Sequence, residues 1–255
     1  MGKYIARRAV QGVVVLFGVS ILVFLLMHLA GDPAAVLLPL DTPPEQIEAF
    51  RQEMGFDRPL PIQYIHFLSR AVRGDFGYSY HYRTDAMQIV LERMPATLKL
   101  TFAALFVALA VAIPAGILAA LRQGRIPDLI VRMSVLLGQA VPGFWLALML
   151  MLLFGVKLQW LPVSGSEGWQ SLILPAIVAG SFSMATITRL LRSNLLETFG
   201  QNYIQTARGK GLPEHTITTR HALKNAAIPV LTVIGLQMGW LLGGAVISEV
   251  VFAYP

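Results

Sequence analysis

The amino-acid sequence predicts an all-α membrane protein of about five transmembrane helices, and three observations carry that expectation. Of 255 residues, 55% are hydrophobic and only 13% are charged, whereas ordinary soluble domains are about a quarter charged. That is too little charge to cover a water-facing surface. The apolar residues gather in blocks of about twenty, the length a helix needs to cross hydrocarbon. Lys and Arg sit in the short connections between those blocks. Lipid admits only helices or closed barrels, and barrel strands need only about 9–11 residues each, so the blocks are helices.

The net charge of +6 fits bases that set topology, since cytoplasmic connections carry the excess of Lys and Arg. It is not gathered on a soluble face, as nucleic-acid binding would require. The chain has no cysteine, which excludes disulfides and thiolate metal sites.

Residues 1–30 hold a cytoplasmic end, with Lys3, Arg7 and Arg8, and a first helix over about Ala9 to Ala30. That run exceeds a signal-peptide core of about 7–15 residues. Asp32-Pro33 directly after Ala30-Gly31 disfavours cleavage, so the run reads as a retained anchor. Residues 31–95 form a polar extracytoplasmic segment with Pro39, Pro43, Pro44, Pro59 and Pro61. It is too long for a plain loop, and a small folded element is expected. Thr42 caps a short amphipathic helix bearing Ile47, Phe50 and Met54, and Gln63 to Val72 is a second candidate.

The remainder, 96–255, reads as four more helices, over about 96–121, 133–154, 171–191 and 227–247. Pro114 and Pro142-Gly143 should bend the first two. Arg122, Arg125 and Arg132 make one basic cytoplasmic connection. Lys157 and Glu167 balance in the next, which suits the outside. Arg189, Arg192, Arg208, Lys210, Arg220 and Lys224 surround a long cytoplasmic loop over 192–226. The charge bias thus puts the N-terminus in the cytoplasm and the end of the chain outside.

The search for chemistry turns up no enzyme. No G-x-x-x-x-G-K-[ST] phosphate loop and no H-E-x-x-H pair occurs, so no catalytic residue, metal or cofactor is expected. The five histidines, His28, His66, His81, His215 and His221, are scattered. His28 reads as a side chain snorkelling to the interface. The helix interiors are nearly free of ionisable residues, the usual mark of proton relays.

The stretch from Gln201 to Pro229 is the most informative. Thr206, Ala207, Gly209 and Gly211 are small, Leu212-Pro213 breaks the chain, and Glu214 to Leu223 can be helical again. A solvated basic loop explains the charge. It does not explain small residues at close spacing before a second helical start, which suit a short helix docking its low-relief face into a partner's groove. Gly235, Gly239 and Gly243, each four apart, let helix backbones approach, either within the chain or at a seam with another. Ser181, Ser183, Thr186 and Thr188 do not share one helix face.

The stretch resembles the cytoplasmic "EAA" loop of ATP-binding-cassette importer permeases, in the version of the dipeptide, oligopeptide and nickel group. In the general motif two small residues follow a Glu, and a Gly comes four positions after the second. Gln205, Thr206, Ala207 and Gly211 take those places, with Gln for Glu, and Arg208, Lys210 and the run His221 to Asn225 match the group's pattern. The resemblance extends along nearly the whole chain. Gly31-Asp32-Pro33-Ala34, Gly55 to Tyr64, Arg73 to Gly77, Arg93 to Thr97, Val141 to Trp145 and Trp160-Leu161-Pro162 match in order.

The resemblance implies an inner-membrane permease that pairs with a second, related permease. Two ATPase subunits bind below, and an extracytoplasmic solute-binding protein delivers the substrate. ATP hydrolysis then belongs to other chains, and nucleic acid is no partner. Tyr203 to Thr218 would form the coupling helix seated in the ATPase. Tyr203, Gln205, Thr206, Ala207, Arg208, Gly209, Lys210, Gly211 and His221 would make that contact. Gly209 and Gly211 would allow close approach, and Arg208 and Lys210 would pair with acids on the ATPase. Members of the group carry a sixth helix after a Glu-x-x-Phe-x-x-Pro-Gly segment, and here Glu249 to Pro255 matches its start. A truncated permease remnant is therefore one alternative. A stand-alone secondary carrier or channel is another; it predicts inverted repeats or a charged midplane site, and neither is visible.

Overall fold

A computed structural model of the chain describes residues 2–29, 31, 34, 38, 42–79, 82–165, 168–244 and 246–254. Ala30, Asp32-Pro33, Pro39, His81, Glu167 and Pro255, used in the reading above, lie outside them. Among the described residues four helices are long and apolar enough to cross a membrane, and one bent helix pair makes a fifth candidate. The chain divides into two units, Met1–Glu92 and Arg93–Pro255.

In the first unit α1 (Gly2–Leu29) contains no buried residue. A long helix that is apolar from Ala9 onward and has no buried residue suits lipid on most of its surface. Two short helices follow, α2 (Pro44–Met54) and α3 (Leu60–Ala71), each opened by proline in its first turn. The residue at the cap of α2 is Pro43, without a side-chain bond. The expected Thr42 cap is not formed, because the fixed φ of Pro44 already sets the first turn. α2 ends at Gly55 with φ 71°, a left-handed cap whose N–H returns to the Gln52 carbonyl.

α3 lies along one stripe of α1. Phe17, Ser20, Phe24 and His28 recur at helical spacing and meet it. The Ser20 hydroxyl is 2.8 Å from that of Tyr64, and the Tyr64 ring stands edge-on to Phe17 and Phe24. His28 does not snorkel. Its Nε2 is 2.9 Å from Gln63 Oε1, and its Nδ1 is 2.9 Å from the Phe24 carbonyl. Gln63 is fixed because its Nε2 donates to the carbonyls of Phe56 and Arg58, which turns Oε1 toward His28. Phe17 is twelve residues from the end of α1, about 18 Å along the helix, so α3 rests beside residues of membrane depth. Beyond it Arg70 grips Asp75 with two N–H groups. That grip and the Gly77 N–H hold the Asp75 carboxyl below the usual range. A two-residue hairpin, β1 (Tyr78–Ser79) with β2 (Thr84–Asp85), closes the unit.

α4 (Ala86–Leu121) begins ten residues before the expected start at 96 and carries Pro95 and Pro114 inside it. Side-chain bonds from Thr84 to Gln88 and from Gln88 to Glu92 support its first turns. In the second unit α7 (Ile173–Phe199) is the central element, entered through a 3-10 turn at Trp169–Leu172. α5 (Ile126–Ala140), α6 (Gly143–Leu150), α10 (Leu223–Gly244) and α11 (Val246–Val251) all pack on it. α4 crosses it closely: Ala104, Ala108, Ala112, Gly116 and Ala120 are buried at four-residue spacing. A Cβ at Gly180 of α7 would lie 2.6 Å from the Ala104 carbonyl oxygen, and one at Gly116 would meet Leu191 and the Thr188 carbonyl at 3.2 Å. The contacts advance in the same direction on both helices, so α4 and α7 run parallel. Small residues permit this approach. Gly180→Ala is expected to cost about 1–3 kcal/mol, the range for overpacking, seen as a lower thermal midpoint of the detergent-solubilised chain. An unchanged midpoint would mean that the two backbones separate freely.

The expected single helix over 133–154 is two helices. α5 and the segment Gly143–Lys157, in which α6 passes into a π-helical turn at Met151–Lys157, meet at 105°. The residue before a proline avoids the helical region, and Val141 is extended, with φ −77° and ψ 123°. A full break, rather than a bend, follows. The chain end also differs from a plain exit. Thr97 donates to the Glu249 carboxylate at 2.8 Å, Phe252 is buried, and Gly165 N–H donates to the Phe252 carbonyl.

Candidate functional site

The basic stretch over 192–226 is largely helical. α7 continues through Arg192 to Phe199 because Leu195 and Thr198 still find cover. Gly200 and Gln201 turn the chain into α8 (Asn202–Gly209). Helix resumes at α9 (Glu214–Thr216), passes through a π-helical segment at Ile217–Ala222, and leads into α10.

α8 is two-faced. Ile204 and Ala207 are buried among Leu191, Leu195, Ile217, Ala222 and Ala226. The same cluster reaches up to Ala112 and Ile187, so one continuous core ties α8 to the membrane-spanning helices. Asn225 donates to the Tyr203 hydroxyl at 2.7 Å, a second tie from α8 to the foot of α10. Gln205, Thr206, Gly209, Lys210 and Gly211 face outward. Thr206 returns its hydroxyl proton to the Asn202 carbonyl, which leaves that part of the face smooth.

The two glycines differ. Gly211 has φ 77°, the left-handed residue that ends a helix, so its backbone demands glycine whatever docks there. Gly209 has no such constraint, and a Cβ on it would meet nothing within 4 Å. Arg208 also departs from expectation. Its guanidinium grips Glu214 through two N–H groups at 2.6 and 3.4 Å and lies over the Phe199 ring. The Glu214 carboxylate holds its pKa above the usual value. The fork of Arg208 is thus spent within the chain, where it braces α8 against α9. Lys210 forms no ion pair among the described residues. His221 lies half-buried in the π-helical segment, apart from the outer face of α8.

Sequence reasoning missed one cluster. Asp128, in the first turn of α5, is 1% exposed. Arg192 donates to both its oxygens at 2.6 and 2.8 Å, Gly124 N–H adds a bond at 3.0 Å, and Arg132 stands 3.6 Å away. This joins the inner end of α5 to the part of α7 that leads into α8. The available signal was a lone acid in a run of arginines.

Gly235, Gly239 and Gly243 are exposed, and among the described residues a Cβ on any of them would meet nothing within 4 Å. Of the four polar residues of α7, Ser183 and Thr188 are buried and Ser181 and Thr186 half-buried. Among the described residues no group of three His, Asp or Glu side chains is placed to hold a metal ion.

Comparison with known proteins agrees with this arrangement. A family model for the binding-protein-dependent transport system inner membrane component matches residues 112–255, and the model for the N-terminal part of such components matches residues 1–101. The glutathione transport system permease protein GsiC of Escherichia coli (strain K12) is 38% identical over 256 residues, covering 100% of this chain and 84% of its own length. GsiC of Shigella dysenteriae serotype 1 (strain Sd197) is similar to the same extent. The two family matches cover nearly the whole chain, and the chain belongs to the family of binding-protein-dependent transport system inner membrane components, the permeases of ATP-binding-cassette importers.

Proposed function

We propose that this chain is one permease half of an importer for peptide-like solutes, glutathione among them, and that α8 is the element through which its ATPases drive it. The observation that carries the reading is the construction of α8. A short helix with a smooth outer face is held on the core by Ile204 and Ala207, so a push on it is passed to α7 and α10 rather than absorbed by a loop. In this reading two ATPase subunits meet α8 and its counterpart on a second, related permease, and an extracytoplasmic binding protein delivers the solute. Lys210 offers a cation to an ATPase acid, while Arg208 braces. The exposed face of α10 around Gly235, Gly239 and Gly243 suits the seam with the second permease. The N-terminus lies in the cytoplasm, as Lys3, Arg7 and Arg8 favour.

The test is co-expression of the chain with its partner permease, ATPases and binding protein, followed by reconstitution into liposomes. The expected result is a stable complex whose ATP hydrolysis rises when loaded binding protein is added. A chain that inserts but retains no ATPase on purification would overturn the reading.

A further inference from the structure

The break between α5 and α6 opens a cavity of about 160 Å³ that the coupling mechanism does not use. Gln139 and Gly143 from the two sides of the break, Ser181 and Phe182 of α7, Trp240 of α10 and Ser248 of α11 are among the residues around it. Its position follows from α7. Gln139 Nε2 donates to the Thr186 hydroxyl at 3.4 Å, and Thr186 is the middle residue of that 27-residue helix. The cavity borders the apolar part of α7 around Ser181 and Phe182, away from the basic end of that helix. Phe182 and Trp240, with ring centroids 5.7 Å apart, form its rim and are themselves exposed. It opens on the same helix, α10, whose outward glycines await another surface.

Its wall is mainly apolar, with hydrogen-bond donors on the side where α6 begins. Leu146 N–H bonds to the Pro142 carbonyl, but the N–H groups of Gly143, Phe144 and Trp145 find no acceptor among the described residues. Such orphan donors, with the positive end of the helix dipole, favour an anion. Independently, Ser248 is 3% exposed, borders the same cavity, and its hydroxyl has no hydrogen-bond partner among the described residues. An unpaired hydroxyl on a cavity wall is free to bond an atom of a ligand. Ser181 spends its proton on the Val178 carbonyl, so its oxygen adds only an acceptor. Arg189 donates to Gln139 Oε1 at 3.3 Å and meets no carboxylate among the described residues, so a residue of the cavity wall carries an uncompensated cation. Broken transmembrane helices that aim an N-terminus at an anionic group are a general device of membrane transport.

We propose that this cavity is a carboxylate-binding station on the route through the permease. The N–H groups at the start of α6 and the Ser248 hydroxyl bind the carboxylate of a peptide-like solute, while Phe182 and Trp240 flank its apolar part. The proposal rests on the permease reading and names the site on this chain that its substrate touches.

The site can be altered without rebuilding the fold. Pro142 has ψ 135°, the extended geometry that a following proline requires, and the first helical position tolerates proline. Gly143→Pro thus removes one donor, and a Cβ there meets nothing within 4 Å. Ser248→Ala removes the hydroxyl. In the reconstituted complex with glutathione as the probe, the Gly143→Pro/Ser248→Ala double variant should lose about tenfold or more in uptake, as expected for bonds to a charged group. Hydrolysis stimulated by the binding protein should persist, and the Gly143→Pro single variant, which keeps the Ser248 hydroxyl, should lose less uptake than the double variant. Gly143→Asp, which places the chain's own carboxylate at the station, should also block uptake. Normal uptake by the double variant, or an equal loss in the Gly143→Pro single variant, would overturn the station while leaving the permease reading intact. If the parent complex moves no glutathione and its hydrolysis ignores the binding protein, the permease reading itself fails, and the station with it.

Discussion

Arg192→Ala is expected to lower the stability of the permease by about 3–5 kcal/mol, the range for breaking one partner of a buried ion pair. The cost should exceed that of Asp128→Ala, and the reason is the unequal exposure of the partners. Asp128 is 1% exposed and Arg192 is 20% exposed. Without Arg192, the carboxylate stays in place with one backbone N–H at 3.0 Å and Arg132 at 3.6 Å, too little to offset its lost hydration. Without Asp128, the longer and more exposed Arg192 can swing its head toward water or lipid phosphate. Thermal unfolding of the detergent-solubilised variants checks both the size and the order. Losses of about 1 kcal/mol or less for both, as for a surface pair, would mean that water reaches the carboxylate. The Arg192→Asp/Asp128→Arg exchange should recover only part of the loss, because Gly124 N–H would then face a guanidinium.

This cluster shows where sequence reading stops. The spans were legible because a helix crossing lipid must be apolar for about twenty residues, and no tertiary detail is needed to see that. Asp128 was not. An acid among Arg122, Arg125 and Arg132 looks like a solvated charge, and only the return of α7 past α5, 64 residues later, makes it a buried one. The tight seam of α4 on α7 was missed for a similar reason. Its alanines at 104, 108 and 112 read as ordinary helix formers, and the glycine that completes the seam, Gly180, stands alone in sequence. The glycines with a visible spacing, Gly235, Gly239 and Gly243, have no atom of the described residues within 4 Å of where a Cβ would stand.

The proline signals were read in kind but not in degree. Pro142 breaks the third span fully, since its predecessor Val141 is extended, whereas Pro95 and Pro114 sit inside a helix of 36 residues. Proline's local penalty is the same in each case, and the sequence alone does not show where it ends a helix and where the helix runs through it. At the stretch proposed to meet the ATPases the motif located the residues, and their division of labour emerged only from packing. Ile204, absent from the candidates, is the anchor, Arg208 is an internal brace, and Gly211 answers to its own backbone.

Gly209→Trp should abolish transport without unfolding the protein, and Gly209 is the position where that separation can be made. Its backbone is helical, and a Cβ on it meets nothing within 4 Å. Replacing a helical glycine removes a propensity penalty of about 1 kcal/mol. The isolated variant should therefore melt no lower than the parent. A partner seated closely on α8 would meet the indole, and interface cores are packed as densely as protein interiors. A misfit of about 3 kcal/mol, within the range for overpacked sites, weakens association about a hundredfold. The expected pattern is normal membrane insertion, ATPase lost on purification, and uptake near zero. Gly209→Ala, whose methyl group is within the tolerance of most interfaces, should retain uptake and melt slightly higher. Substituting Gly211 cannot make this distinction, because a side chain at φ 77° strains the chain before any partner arrives. If Gly209→Trp keeps its ATPases and transports normally, the outer face of α8 is not where they sit, and the drive must enter elsewhere on the cytoplasmic surface.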